Sequence, residues 1–479
     1  MVRLPRWGGN GMSLTSKLTT IAAAGGSGES GYILDVSPSQ GGNAKFESFD
    51  IDSNGNVFFG GQVGNYLYFA KGTLDGTITA GRTVIENPNS GVSYQVREVH
   101  LTPSENYLAA GLTLYSTYGG ERASFAKVDP STLAVTDIEG YTTLLNGYRN
   151  TNSRAGRGMI CKPTSDTDRW LSTTGWTGGN TGNYLMKYTT NGGGPLYTKN
   201  YTIYSTHYTR KIMTDSQGTY LYIGATTGPD TGAGGYGMML GKVNQSDGSG
   251  VARSEAYSSS GGAYGPMQTQ LSYSPGNMDQ DSTHIYMVGH HGNNGSSGPD
   301  GMYVQKVQKS NLAVVWRHMI QLTTSGSPQD LQGSSIAVDA NGNVFAASSN
   351  NGPDGFRPKL VKYNSSGVLQ WVKGIGRTNS SHESAFQTMK VHDGSLYISG
   401  TTQDSSRRIG FFMKTSLDGP AAGVYGNYTI VDYTNYIQDN LTMPSYSTNT
   451  LSMSNDTLNA SDRNITQSAD TATTNLTSV

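Results

Sequence analysis

The chain has 479 residues, and its 33 Lys and Arg residues against 34 Asp and Glu residues give a formal net charge of -1. Charged residues make up only 14% of the sequence, which argues against a protein that binds the phosphates of DNA or RNA. No apolar run approaches the ~20 residues that a membrane-spanning helix needs. The single cysteine, Cys161, excludes an intrachain disulfide.

Residues 1–30 are expected to form an N-terminal arm or linker. Their most apolar stretch, residues 21–24, is short and follows Ser and Thr residues, so the sequence predicts no secretory signal peptide. The segment that follows, residues 31–37, has the apolar character of a strand.

One pattern recurs along the rest of the chain. It consists of a short alternating strand, a turn rich in Gly, Asn and Asp, and an apolar strand that ends in Gly or Ser, most clearly in residues 51–61 and 338–348. The last small residues of the copies are Gly61, Gly111, Gly175, Gly224, Gly289, Ser348 and Gly400. Their mean spacing of about 56 residues is typical of one four-stranded propeller blade.

Each copy is followed by a third strand in which a Lys has apolar neighbours, as in residues 185–188 and 360–363. Seven copies predict an all-β fold, a seven-bladed β-propeller that covers residues 31–432. A ring of sheets must close or leave an exposed edge strand. We expect residues 31–37 to supply the closing strand of blade 7, with residues 428–431 as the competing candidate.

Two segments carry a family resemblance. Residues 371–373 (Trp-Val-Lys) and residues 338–344 match the pattern W-x-K … A-x-D-x-x-G-N-V-Y-x-x-G. The chain therefore resembles the bacterial β-propeller repeat (SBBP-like) family from residue 46 to about residue 432. This resemblance implies the same propeller fold.

Residues 433–479 differ in composition, because about half of those after residue 433 are Ser, Thr or Asn. Such a segment cannot bury enough apolar surface to fold alone. We expect a C-terminal arm that is either disordered or extended and ordered against a partner.

The tripeptide Gly-Pro-Asp occurs three times and ends at Asp230, Asp300 and Asp354, while Asp404 lies in the corresponding loop of blade 7. Propeller geometry would place these loops on one face, where four carboxylates could contribute to a sugar or metal site. Turn chemistry also explains the pattern, because Pro presets φ and Asp accepts hydrogen bonds from the next amides. Turn chemistry is the favoured explanation.

Three more residues are candidates for binding on the same face. Trp176 could stack on a sugar ring, and His290 and His291 follow the second strand of blade 5. Adjacent side chains diverge on an extended backbone, so the His pair predicts no metal site. The predicted binding residues are Asp230, Asp300, Asp354, Asp404, Trp176, His290 and His291, with no metal and no cofactor.

No catalytic motif is recognised. Residues 50–56 look like the start of an EF-hand loop, but Gly61 stands where a bidentate Glu is required, so a turn is predicted instead. No nucleophile elbow or P-loop is present, and Cys161 is expected to be a small buried residue. The protein is therefore predicted not to be an enzyme, although carboxylates or a His with displaced pKa near the central channel would indicate one.

Residues 12–26 resemble the N-terminus of virion structural proteins of tailed phages. The resemblance implies a component of a phage tail or surface appendage, located in the virion after assembly in the host cytoplasm. Its arms would contact other virion proteins, its loops a neighbour or a host cell-surface glycan, and many copies would give avidity. The alternative is a secreted or surface bacterial propeller that binds or cleaves polysaccharide, and a third is a scaffold without a ligand.

Overall fold

The structure is a computed structural model. It describes residues 14–21, 31–38, 43–64, 66–84, 93–115, 121–140, 159–177, 180–189, 196–201, 207–227, 237–256, 267–271, 276–293, 301–324, 327–329, 331–350, 357–378, 384–403, 407–434, 436–440 and 454–455. No helix long and apolar enough to cross a membrane is found in these segments.

The described strands form seven antiparallel sheets that follow one another along the chain. The first strands of neighbouring sheets contact each other around a central channel, so each sheet is one blade of a ring. The seven-bladed, all-β propeller predicted from the repeat is therefore confirmed.

The first half of the described chain forms the following strands. Before the first blade come β1 (Leu14–Ile21) and β2 (Gly31–Pro38). Blade 1 contains β3 (Ala44–Ile51), β4 (Asn56–Val63), β5 (Tyr66–Thr73) and β6 (Ile78–Val84). Blade 2 contains β7 (Ser93–Leu101), β8 (Leu108–Tyr115), β9 (Glu121–Val128) and β10 (Val135–Gly140). Blade 3 contains β11 (Met159–Ile160), β12 (Asp168–Thr177), β13 (Asn180–Thr189) and β14 (Tyr197–Asn200). Blade 4 contains β15 (His207–Thr214), β16 (Tyr220–Thr227), β17 (Gly237–Asn244) and β18 (Gly250–Ala256).

The second half continues in the same order. In blade 5, β19 (Met267–Leu271) and β20 (Met278–Gln280) share the place of the first strand, followed by β21 (His284–Asn293), β22 (Gly301–Gln308), β23 (Val314–Thr324) and β24 (Ser327–Gln329). Blade 6 contains β25 (Leu331–Val338), β26 (Val344–Asn350), β27 (Lys359–Tyr363) and β28 (Leu369–Arg377). Blade 7 contains β29 (Ala385–His392), β30 (Ser395–Gln403) and β31 (Arg408–Ser416). After the blades come β32 (Gly423–Tyr425), β33 (Tyr428–Asp432), β34 (Tyr436–Asn440) and β35 (Ser454–Asn455).

The ring is joined by strands from both ends of the chain. β2 pairs antiparallel with β31 and so supplies the fourth strand of blade 7. β1 pairs with β2 on its outer side. Residues 428–431, the competing candidate for the closing strand, lie in β33, which pairs with β28 of blade 6.

Two described segments of the C-terminal arm also pair with blades of this chain. β34 pairs with β23 of blade 5, and β35 pairs with β14 of blade 3. These two segments are extended strands that pair with sheets of the same chain. The outer edge of a blade offers unpaired backbone N–H and C=O groups, so a strand can be added there without an apolar core of its own.

The hydrophobic core of the described residues is divided among the contacts between blades. Each of its seven clusters joins two neighbouring blades, and together the clusters run around the ring. At the contact between blades 7 and 1, Phe412 meets Phe49 and Phe59 edge to face, with ring centroids 5.2 and 4.9 Å apart. Leu34 and Val36 of β2 belong to this cluster, so the closing strand contributes apolar side chains to the core between blades 7 and 1.

The recurrent turn is built from one Asp. In blade 1, Asp52 Oδ1 accepts hydrogen bonds from the backbone N–H groups of Asn54 and Asn56, at 3.0 and 2.7 Å. Asp339 of blade 6 makes the same contacts with Asn341 and Asn343, at 2.9 and 2.8 Å. These carboxylates hold amides of the turn, as the turn interpretation of residues 50–56 predicts.

The recurrent Lys has one role in all seven blades, because each of these third-strand lysines places its ammonium group over an aromatic ring of the second strand or of the turn before it. The pairs are Lys71 with Phe58, Lys127 with Tyr107, Lys187 with Trp170, Lys242 with Tyr220, Lys306 with Tyr286, Lys362 with Phe345, and Lys414 with Tyr397. The distances to the ring centroids run from 3.9 to 6.0 Å. Each cation–π contact therefore ties the third strand to the second.

Candidate functional site

The first strands of blades 1, 2, 4, 6 and 7 share a β-bulge at the same point. The extra residues are Glu47, Arg97, Arg210, Ser334 and Gln387. A bulge changes the direction of the side chains that follow it. Four of the residues directly after a bulge, namely Ser48, Glu98, Lys211 and Thr388, line the central channel.

The channel widens into a cavity of about 550 Å³ to which every blade contributes. One lining residue from each blade, in order, is Ser48, Glu98, Lys162, Lys211, Asp279, Val338 and Lys390. The lining also includes Thr164 and Ser216, in the connections from the first to the second strands of blades 3 and 4. The cavity therefore opens on the face that carries those turns.

One buried cluster lies between blades 2 and 4. Glu98 Oε1 accepts a hydrogen bond from His100 Nε2 at 2.8 Å and forms an ion pair with the ammonium group of Lys211. Glu98 is only 1% exposed, yet its second oxygen, Oε2, has no partner. His100 Nδ1 is also buried without a partner.

A second ion pair joins blades 1 and 7. Lys390 Nζ lies 2.6 Å from Asp50 Oδ1, and Asp50 Oδ2 accepts a hydrogen bond from the backbone N–H of Leu101 at 2.8 Å. Burial alone would raise the pKa of Asp50, but the ammonium groups of Lys390 and Lys162 hold it well below its usual range. Asp50 is therefore a permanent anion that fixes Lys390 at the cavity wall.

Three other groups in the cavity wall have strongly displaced pKa values. Burial, reinforced by Lys390, lowers the pKa of Lys211 to about 7 and that of His100 to about 3. Burial raises the pKa of Asp279 to about 6, against hydrogen bonds from the backbone N–H groups of Gln280 and Val338. His100 is therefore neutral at pH 7, while Lys211 and Asp279 change protonation near neutrality.

This arrangement brings hydrogen-bond donors, acceptors and charges of both signs into one cavity. Glu98, Asp215 and Asp279 line the cavity beside Lys162, Lys211 and Lys390. Apolar side chains, including Ile212, Met278 and Met389, complete the wall. The site can hydrogen-bond a polar ligand and pack against its apolar surface. Across the described residues, no group of three or more His, Cys, Asp or Glu is arranged to hold a metal ion.

Of the residues predicted from the sequence, Trp176, His290 and His291 do not line the cavity. Neighbouring strands are antiparallel, so the ends of second strands lie on the face opposite the cavity mouth. Trp176 is near the end of β12, and His290 and His291 are near the end of β21; the side chains of Trp176 and His291 are outside the described residues. Asp230, Asp300, Asp354 and Asp404 also lie outside the described residues, so their meeting on one face stays a prediction.

Sequence analysis missed the cavity residues. One signal was available: the apolar first strands carry ionisable residues at Asp50, His100, Asp279 and Lys390, just before the turn. These residues were hard to recognise because the bulge shifts the alternation, so simple counting does not show which residues face the channel. Cys161 is buried, as predicted, and burial raises its pKa above the usual range.

Comparisons with known proteins give no family. No protein-family model matches the chain, and no curated protein matches it. Among solved structures, Drosophila Semaphorin 2a has a TM-score of 0.45 with 12% identity over 79% of this chain and 74% of its own. The polysaccharide lyase Uly1 has a TM-score of 0.41 with 11% identity over 78% of this chain and 90% of its own.

A prolyl endopeptidase has a TM-score of 0.43 with 11% identity over 75% of this chain. This chain spans 45% of that protein's length. Each of these is a distant likeness in architecture.

Proposed function

We propose that the chain is a structural protein of a phage particle, a tail or surface-appendage component that acts in assembly or host attachment. One observation carries the proposal: the described terminal segments run along the outside of the ring. β1 and β2 lie at the outer edge of blade 7, and β33, β34 and β35 lie at the outer edges of blades 6, 5 and 3. The described segments nearest to both ends of the sequence are thus at the perimeter of the ring, where the arms can join neighbouring proteins.

Attachment through the perimeter would leave the two faces of the disc for recognition. The face with the loops after the second strands would carry Asp230, Asp300, Asp354 and Asp404, which are the candidates for contact with a host glycan. Each such contact would be weak, and repeated copies on a particle would convert weak contacts into strong adhesion. The resemblance of residues 12–26 to tailed-phage virion proteins supports the same conclusion.

The direct test is to purify particles from the source phage and identify their proteins by mass spectrometry. We expect this chain in stoichiometric amounts, and antibody labelling should place it on the tail or an appendage in electron micrographs. Absence from purified particles would refute the proposal.

A binding assay tests the recognition face. The purified chain should adsorb to host cells, and replacing the four loop carboxylates by amides should reduce adsorption. Asp247→Asn is the matched control, because Asp247 is an exposed turn residue between β17 and β18, on the face with the cavity mouth. Equal adsorption of all variants would remove the loop face from the proposal.

The cavity favours a second candidate function, a secreted or surface bacterial propeller that binds or cleaves polysaccharide. Its convergent carboxylates, neutral His100 and displaced pKa values are the features expected of an active site in the channel. Incubating the chain with host polysaccharides and measuring new reducing ends or unsaturated products tests cleavage. Formation of product by the unaltered chain, and its loss in Glu98→Gln, would support cleavage. If no product forms, only the binding form of this candidate function remains.

A further inference from the structure

We infer that the mouth of the central channel binds a neutral, polyhydroxylated ligand, a mono- or disaccharide unit, through acceptor atoms of Glu98, His100 and Gln280, which line the same cavity. This inference uses the cavity of the second candidate function and names its ligand class, without requiring that the chain cleaves the ligand. It stands whether or not the chain is found in phage particles, and it concerns the face opposite the predicted loop residues.

The evidence is a set of buried acceptors without donors. Glu98 Oε2, His100 Nδ1 and Gln280 Oε1 have no hydrogen-bond partner, and all three residues line the cavity. Glu98 is 1% exposed and His100 is 9% exposed, so bulk water does not solvate them freely. A buried polar atom without a partner is costly, and such atoms gather where a ligand supplies the missing bonds.

The chemistry of these atoms defines the ligand. An ionised Glu98 can only accept, so His100 must donate from Nε2 at 2.8 Å, which leaves Nδ1 as an acceptor. Gln280 donates through Nε2 to the carbonyl oxygen of Thr214 at 2.6 Å, which leaves Oε1 as an acceptor. The ligand must therefore present several hydrogen-bond donors.

Two classes of donor ligand can be separated by charge. A polyamine would donate well, but it would enter a cavity lined by three ammonium groups, those of Lys162, Lys211 and Lys390. An anionic ligand would meet the carboxylates of Glu98, Asp215 and Asp279. Lys211 is paired with Glu98 and Lys390 with Asp50, so neither sign of charge dominates the cavity. This favours a ligand without net charge whose hydroxyl groups both donate and accept.

Size and apolar surface agree with a sugar ring. The cavity of about 550 Å³ is within the range of small-molecule pockets, about 300–1,000 Å³. Ile212, Met278 and Met389 give it an apolar wall. The C–H face of a pyranose can pack against such a wall while its hydroxyl groups point to the acceptors.

The test uses the full chain and ligand-observed NMR. The probes are the methyl pyranosides of glucose, galactose and mannose, with spermidine and citrate as charged probes, all at millimolar concentration. We expect at least one neutral glycoside to bind. Glu98→Gln should weaken its affinity about tenfold or more, because a hydrogen bond to a charged acceptor is lost.

Two further variants keep the result interpretable. Glu105→Gln is the matched control in the same blade, since Glu105 accepts a hydrogen bond from Ser53 N at 2.6 Å and does not line the cavity. Gln280→Met removes an uncharged acceptor, so it serves if Glu98→Gln fails to fold. Binding of a glycoside that both cavity variants weaken and Glu105→Gln leaves unchanged supports the inference. Binding of spermidine or citrate alone, binding of no glycoside, or glycoside binding that neither cavity variant changes would each overturn it.

Discussion

Asp35→Asn should open the ring at its closing strand. Asp35 is a buried residue of β2, and its carboxylate meets two residues of blade 6. Arg377 Nη2 lies 2.5 Å from Oδ2, and the Tyr428 hydroxyl donates to Oδ1. Burial and this neighbouring carboxylate raise the pKa of Tyr428 well above its usual range, so the phenol remains a donor.

The expected loss of folding free energy follows from the charge that remains after the substitution, the guanidinium of Arg377. An amide at position 35 can still accept from Tyr428, but it leaves the guanidinium of Arg377 without its carboxylate. The two charged side chains are only 10% and 12% exposed, so solvent screens them little. Removing one partner of a buried pair costs about 3–5 kcal/mol, and we expect about 3 kcal/mol here.

The assay is equilibrium unfolding in urea, with amide hydrogen exchange to locate the effect. The urea midpoint should fall, and exchange should accelerate first in β1 and β2. Asp418→Asn is the control: Asp418 pairs with Lys362 at 3.3 Å but is 66% exposed, so its loss should cost less than about 1 kcal/mol. A loss below 1 kcal/mol for Asp35→Asn, or faster exchange spread evenly over the blades, would refute this reasoning.

Three more predictions follow from the fold and the site. Gly61→Ala should lower the free energy of unfolding in urea by about 3 kcal/mol, because the new Cβ would lie 1.9 Å from the carbonyl oxygen of Lys45 beside the bulge. Gly410→Ala is the control, because its Cβ would meet only ordinary contacts of 3.4 Å or more. Its loss should be far smaller, and equal losses would contradict the explanation. Lys127→Met should lower the free energy of unfolding by about 0.5–1 kcal/mol, because the ammonium group of Lys127 lies 4.9 Å from the centroid of the Tyr107 ring. An unchanged urea midpoint would show that this cation–π contact does not stabilise the fold. His100 should stay neutral in an NMR titration down to pH 5, because its pKa in the folded protein, about 3, is below the usual 6.5. The contribution of His100 to the free energy of unfolding should be constant above pH 6.5. It should decrease as the pH falls from 6.5 toward 3, by up to about 1.4 kcal/mol per pH unit, because the unfolded state then binds a proton that the folded state does not.

The parts of the fold that depend on local chemistry could be predicted from the sequence. Asp52 and Asp339 mark turns because each holds the amides that follow it, and the spacing of these turns gives the number of blades. Gly61 and Gly400 recur as anchors because each lies against a backbone carbonyl of the first strand, 1.9 and 2.1 Å from where a Cβ would be.

The parts of the fold and of the site that depend on contacts between distant residues could not be predicted from the sequence. Glu98 and Lys211 are far apart in sequence, and they meet only because bulges in two blades turn both side chains into the channel. The pairing of β34 with β23 was missed for a similar reason, since backbone hydrogen bonds at a sheet edge leave little trace in side-chain composition.

The pairing of β2 with β31 also has a consequence for biosynthesis. The ribosome makes β2 before blade 1, but it makes β31 only after the other six blades have been translated. Until then the apolar side of β2 and the surface of blade 1 that packs against blade 7 have no permanent cover. We therefore expect the ring to close only after β31 has been translated, and the nascent chain to need protection by chaperones before that point.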